Sequence, residues 1–233
     1  MDPSDIHNRR TIDPDGPMGD HGAFMASELR VDREDLPAHL RALDGARLLV
    51  AIVGAPGSGK SHLTRDLATA LNAHTPGSAA IVEMDGFHRD NDWLDAHDLR
   101  ARKGAPETFD TEGLYDIVSR LRTGTQDVCA PVFERDHDRV NPEGHTVPKT
   151  VRFVLVEGNY LLLNRPGWRD LYPMFDLSIR IAPSEPVLRA RLIKRWQDQG
   201  LPAPEVRRRV EENDLPNGRV ALSEGRAADL RVL

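Results

Sequence analysis

The stretch LLVAIVGAPGSGKSHL, residues 48–63, constrains the chain more than any other. Leu48 to Val53 is a near-continuous apolar run and reads as a strand covered on both faces, as in a parallel sheet. The run stops at Gly54. The following residues fit the spacing GxxxxGK(S/T), with Gly54, Gly59, Lys60 and Ser61 at the fixed positions, and Leu63, Leu67 and Leu71 then recur one helical turn apart. Glycines let the backbone fold tightly enough for several N–H groups to face one anion, and the positive end of a helix adds to them. The expectation is a phosphate cradle made of Gly54, Ala55, Pro56, Gly57, Ser58, Gly59, Lys60, Ser61 and His62. Lys60 is placed to reach the β- and γ-phosphates and the Ser61 hydroxyl to ligate Mg2+. Spacing alone does not separate an ATPase, a GTPase and a kinase.

The rest of the chain alternates strand and helix signals. Further strands are expected at Ala79 to Met84, Thr150 to Val156, Asp176 to Ile181 and Asp229 to Leu233. Asp35, with Pro37 behind it, is placed to cap a short helix carrying Leu36, Leu40 and Leu43. Asp110 is placed to cap another carrying Leu114, Ile117, Val118 and Leu121, ending near Gly124. Ser184 precedes a basic helix to Gln199, and a second follows over Pro204 to Glu212. This is an α/β pattern with a five-stranded parallel sheet. Residues 1–27, rich in Asp, Gly, Pro and His, read as a flexible leader, and 28–233 as one domain.

Composition narrows the partners. The formal charge of −6 argues against a general nucleic-acid binder, and no apolar run approaches the ~20 residues of a membrane span. Nor does the N-terminus carry the apolar segment of a secretory signal. With one cysteine, Cys129, the chain forms no internal disulfide, and a cytoplasmic protein is expected.

Two acids sit where apolar strands are expected to end: Asp85 after AAIVEM and Glu157 after VRFVLV. Ligands of parallel sheets gather at that rim. One such acid can hold Mg2+ and the other can take a proton from an attacking hydroxyl. Each is followed by glycine, so each also reads as a turn residue.

GAPGSGKS, MDGFH (84–88), RKGAPETFD (102–110), PVFERD (131–136) and VEGNYLLL (156–163) occur in this order. Together they resemble the uridine kinase, phosphoribulokinase and pantothenate kinase group of P-loop kinases, above all its bacterial fructose transport system kinase branch, over about residues 30–233. The resemblance implies the P-loop nucleoside triphosphate hydrolase fold with a helical lid, here about residues 184–212. It implies ATP and Mg2+, a small-molecule hydroxyl acceptor and, as is common for such folds, a homodimer. Asp85 takes the position of the catalytic base and Glu157 that of the acid beside Mg2+. His88, Arg102, Phe109 and Arg135 fall where acceptor-binding residues lie, and Arg191 and Arg195 where lid arginines close over the phosphates. The segments GFHRDND and RKGAPETFD depart from the versions found in uridine kinases. An ATP-binding accessory protein, for instance of a sugar transport system, is the reading from another class. A GTPase switch would need an NKxD-type guanine motif, which the chain lacks.

Overall fold

The LLVAIV run is the inner strand of a six-stranded sheet. The computed structural model describes residues 28–232, and the expected leader lies outside them. The strands are β1 (Leu29–Val31), β2 (Leu48–Val53), β3 (Ala79–Glu83), β6 (Phe153–Gly158), β7 (Leu177–Ile181) and β8 (Leu230–Val232), all parallel, in the order β1-β8-β7-β2-β6-β3. β4 (Val128–Glu134) and β5 (Arg139–Val147) form a separate antiparallel hairpin. The sheet has one strand more than the sequence predicts. The addition is β1, a three-residue edge strand, LRV, with no apolar pattern to announce it.

β2 is buried along its whole length because both faces of the sheet are covered. Leu48, Val50 and Ile52 face the helix α2 (Lys60–His74), through Leu63, Leu67 and Leu71, and the short helix α1 (Leu36–Arg41). Leu49, Ala51 and Val53 share the opposite core with Leu114, Val118 and Leu121 of α4 (Thr111–Thr123). α4 is bounded as its sequence suggests. The Asp110 carboxylate accepts from the Gly113 N–H at 3.2 Å, and Gly124 closes the other end at φ 61°. Asp35 behaves otherwise: it precedes α1 from within a 3-10 turn, and its side chain makes no capping bond.

A third apolar cluster binds the C-terminal helices to the phosphate loop. It joins Ala55 to Leu188 and Leu192 of α5 (Glu185–Asp198), Val206 of α6 (Ala203–Arg209), and Val210 and Leu215. Between α6 and α7 (Leu215–Ser223) the chain makes one π-helical turn, Val210–Asp214. Near the outer edge, Glu28 and Arg180 form a buried ion pair at 2.6 Å, and the Ala228 N–H donates to the same Glu28 oxygen at 2.8 Å. The chain leaves β2 toward β3 on one side and reaches β7 on the other. The carboxyl end of β2 is therefore the switch point where an α/β sheet opens a crevice.

Candidate active site

At that end the backbone turns through Gly54 to Lys60. Gly57 (φ 77°) and Gly59 (φ 97°) adopt the left-handed conformation that glycine reaches without strain. Space is as tight as geometry: a Cβ on Gly54 would lie 2.5 Å from Ser58 Oγ and 2.7 Å from the Ile181 carbonyl oxygen, and one on Gly57 3.0 Å from Leu192. α2 begins at Lys60, so its first N–H groups face the loop. His62 stands on the outer side of this turn, 3.6 Å from Asp66, leaving its backbone amide to the cradle.

Lys60 Nζ lies 3.8 Å from Glu157 Oε2, with both side chains largely buried. Glu157 is the penultimate residue of β6 rather than the residue after it, since β6 runs on to Gly158. Its Oε2 and the Ser58 hydroxyl are buried without a hydrogen-bond partner. Unpaired buried polar atoms are costly, and here they line a loop of N–H donors beside an ammonium. Ser61 and Glu157 offer the hard oxygen donors that Mg2+ takes, so the residues fit a nucleotide phosphate chain with its cation.

Opposite Glu157, on β3, stands Glu83, its partner in register. Burial, then the neighbouring carboxylates Glu157 and Asp85, push its pKa up. Two residues on, β3 gives way to a 3-10 turn, Met84–Phe87, that carries Asp85. Arg135, from the far end of β4, donates to Asp85 Oδ2 at 2.7 Å. Burial pushes the Asp85 carboxyl up, but His88, Lys60 and Arg135 together outweigh it and hold it below the usual range.

His88 packs between Phe109 (4.1 Å between ring centroids) and Phe133 (4.9 Å). Its Nδ1 meets the Asp85 carbonyl oxygen at 2.8 Å. Burial drives the His88 pKa down despite the pull of Asp85, with Lys103 and Arg135 adding to the fall. A carbonyl accepts only, so Nδ1 carries the proton and Nε2 of the neutral ring is left as an acceptor. Phe109 is itself buried, edge-on to Tyr160 and Trp168, and so supports His88 from the core. Arg102 pairs with Glu107 at 3.0 Å on the outer side of the same segment.

Lys103, beside Arg102, was not singled out from the sequence. Its Nζ donates to Asp138 Oδ1 at 2.7 Å and, at the start of α3 (Asn91–Ala96), to Asn91 Oδ1 at 2.8 Å, tying the hairpin turn to the segment below it. The Lys103 carbonyl in turn accepts from Asn213 of the π turn at 3.0 Å. Of the basic residues on α5, Arg191 donates to the Ser58 carbonyl at 2.9 Å, on the phosphate loop itself. Arg195 lies beside Arg135 and Asp85; burial first, then Arg135, lowers its pKa. Arg189 and Lys194 pair with Glu211 and Asp198 in solvent.

A phosphate loop at the switch point of a parallel sheet, with a carboxylate facing it from the next rim position, defines a P-loop kinase. Comparison with known proteins is specific. The phosphoribulokinase / uridine kinase family model matches residues 49–201, and the chain belongs to that family. Its members are phosphotransferases that act on hydroxyl groups, and so is this protein. It is 39% identical over 189 residues to the protein YggC of Escherichia coli (strain K12), covering 80% of this chain and 77% of the other. With a protein of Schizosaccharomyces pombe provisionally named uridine kinase C227.14, identity is 37% over 182 residues, 73% of this chain and 76% of that one. A crystal structure from Silicibacter sp. TM1040, provisionally named a fructose transport system kinase, superposes with a TM-score of 0.78 at 42% identity. That match covers 86% of this chain and 98% of the other. Among the described residues no helix is long and apolar enough to cross a membrane.

Proposed function

We propose that the protein transfers the γ-phosphoryl group of Mg·ATP to a hydroxyl of a small acceptor, a nucleoside, sugar or pantothenate-like compound, in the cytoplasm. The observation that carries this reading is the ionised Asp85 held at the sheet rim beside Lys60 and Arg135. An ATPase needs no such second side to its site. A kinase needs a carboxylate facing its acceptor.

Each residue then has a task. The loop from Gly54 to Ser61 and Lys60 bind the phosphates through backbone N–H groups and charge. Ser61 and Glu157 would hold Mg2+, which supplies neutralisation of charge on the phosphate oxygens. The acceptor enters over His88, whose Nε2 takes a hydrogen bond and so orients it. Its hydroxyl oxygen bonds to the γ-phosphorus as the bond from phosphorus to the bridging oxygen breaks. The hydroxyl proton passes to Asp85 and on to solvent, and ADP leaves with the electron pair. Residues 184–212 act as the lid. Arg191 and Arg195 meet the transferring phosphoryl group and exclude water around it.

The test is ADP release from Mg·ATP against a panel of nucleosides, pentoses, hexoses, pantothenate and their phosphates. One compound should stimulate release strongly, with a phosphorylated product, and Asp85→Asn should abolish the stimulation. A uniform slow release, equal in the variant, would instead mark an ATP-binding accessory protein.

A further inference from the structure

Arg135 is not on the turn that carries Asp85. It arrives from the hairpin, fifty positions away, and the structure fixes its approach at both ends. At the hairpin's root, a Cβ on Gly86 would lie 2.2 Å from the Pro131 carbonyl oxygen, so β4 sits directly on the turn that holds Asp85. At its tip, Asp138, in the left-handed region at φ 49°, is held by Lys103 and Asn91. One Nη2 donor of Arg135 is spent on Asp85. Its Nε and Nη1 have no hydrogen-bond partner among the described residues, and its side chain is 55% exposed. Arg195, half-buried beside it, makes no hydrogen bond or ion pair among the described residues. Lys103 Nζ lies over the Phe133 ring beside His88 and is answered by Asp138, and Arg195 faces Asp214 as well as Asp85. What the acceptor side leaves unanswered is the rest of the Arg135 guanidinium, with the Arg195 head unbonded beside it.

A carboxylate bound by a guanidinium at 2.7 Å is also a poor base, because the ion pair stabilises its charged form. Asp85 Oδ1 can still meet a hydroxyl, but the Arg135 pair on Oδ2 holds down the basicity of the whole carboxylate, so Asp85 is a stronger base once Arg135 leaves it. We infer that the acceptor carries a carboxylate or phosphate beside its reactive hydroxyl, and that this anion draws Arg135 off Asp85 as the acceptor binds. The hydroxyl then meets a freed carboxylate. Water, or a neutral polyol, leaves the Asp85–Arg135 pair closed. The inference rests on the kinase reading for its hydroxyl and base, and adds the class of acceptor and the reason for the arginine.

The experiment compares matched pairs under Mg·ATP: glycerate with glycerol, and ribose 5-phosphate with ribose. The first pair probes a carboxylate and the second a phosphate. For whichever pair is used, the anionic member should have the higher kcat/KM by about 10- to 100-fold, the worth of a charge-assisted hydrogen bond. In Arg135→Gln that preference should collapse toward parity, and Arg135→Lys should restore part of it. A neutral member that matches its anion in the wild type overturns the inference and leaves the kinase standing. So does an Arg135→Gln variant that slows both members equally, because Arg135 would then serve ATP. If no member is phosphorylated, calorimetry on the protein loaded with a non-hydrolysable ATP analogue decides. Binding of an anion, lost in Arg135→Gln, supports the anion site and counts against the kinase. Absence of anion binding at millimolar concentration overturns the site.

Discussion

The two sides of the crevice are built in opposite ways. The phosphate loop is local. Eight consecutive residues, Gly54 to Ser61, make it, and backbone conformation at Gly57 and Gly59 does most of the shaping. The acceptor side is assembled from distance: Asp85 from the end of β3, His88 beyond it, Arg135 from the hairpin, and Lys103 clamping the hairpin turn. A backbone cradle recognises any phosphate chain, which suits a donor shared by many enzymes. A cluster of side chains on short turns can change one residue at a time, which suits an acceptor that differs between relatives.

The largest test of this division is a pair of substitutions. Lys60→Ala and Asp85→Asn should each lower turnover by about 100-fold or more, yet only Lys60→Ala should lose Mg·ATP affinity by equilibrium titration. Equal nucleotide binding in both would erase the distinction. Next come two glycines. Gly86→Ala forces the hairpin off the Asp85 turn and should cost about 1–3 kcal/mol in denaturant unfolding, raising the acceptor KM with nucleotide Kd unchanged. Gly57→Ala, strained by about 1–2 kcal/mol at φ 77° and crowded by Leu192, should do the reverse and weaken nucleotide binding alone.

Smaller effects follow from charge. Asp85 titrates below its ordinary value, so the acid limb it imposes on kcat/KM falls below the usual carboxylate range. Arg135→Gln removes one of the cations that keep it there and should shift that limb to higher pH. An unmoved limb would assign it to another group. Glu83 has the opposite sign. Its folded pKa is raised, so its contribution to stability is present at low pH and is lost as pH rises through that value. Glu83→Gln should therefore be more stable than the wild type at pH 8, by up to about 1 kcal/mol, with the gain vanishing at acid pH. Thermal unfolding at the two pH values reads it.

Legibility in the sequence divides along the same line. The phosphate loop, β2, and α4 with its Asp110 and Gly124 ends could be read because each signal sits within one turn or one strand. β1 is not legible in the sequence because three residues, two of them exposed, show no period. The nine residues of β5, RVNPEGHTV, carry little apolar alternation and owe their pairing to β4. Lys103 lies in the segment whose resemblance points to the acceptor side, but nothing local marks its own role, since its partners Asn91 and Asp138 are 12 and 35 positions away. Glu83 is visible only once the register sets it opposite Glu157. Asp35 has the composition of a cap, but the chain enters α1 already coiled, so its carboxylate does not bond back.

Among the described residues the edge strand β1 finds its only sheet partner in β8, about two hundred residues later, and Glu28 beside it is paired with Arg180. On a ribosome that order becomes a schedule. The phosphate loop and its helix can fold soon after they emerge. Residues 28–31 must wait until β8 has cleared the exit tunnel, so this sheet edge is sealed only after every strand between them has emerged.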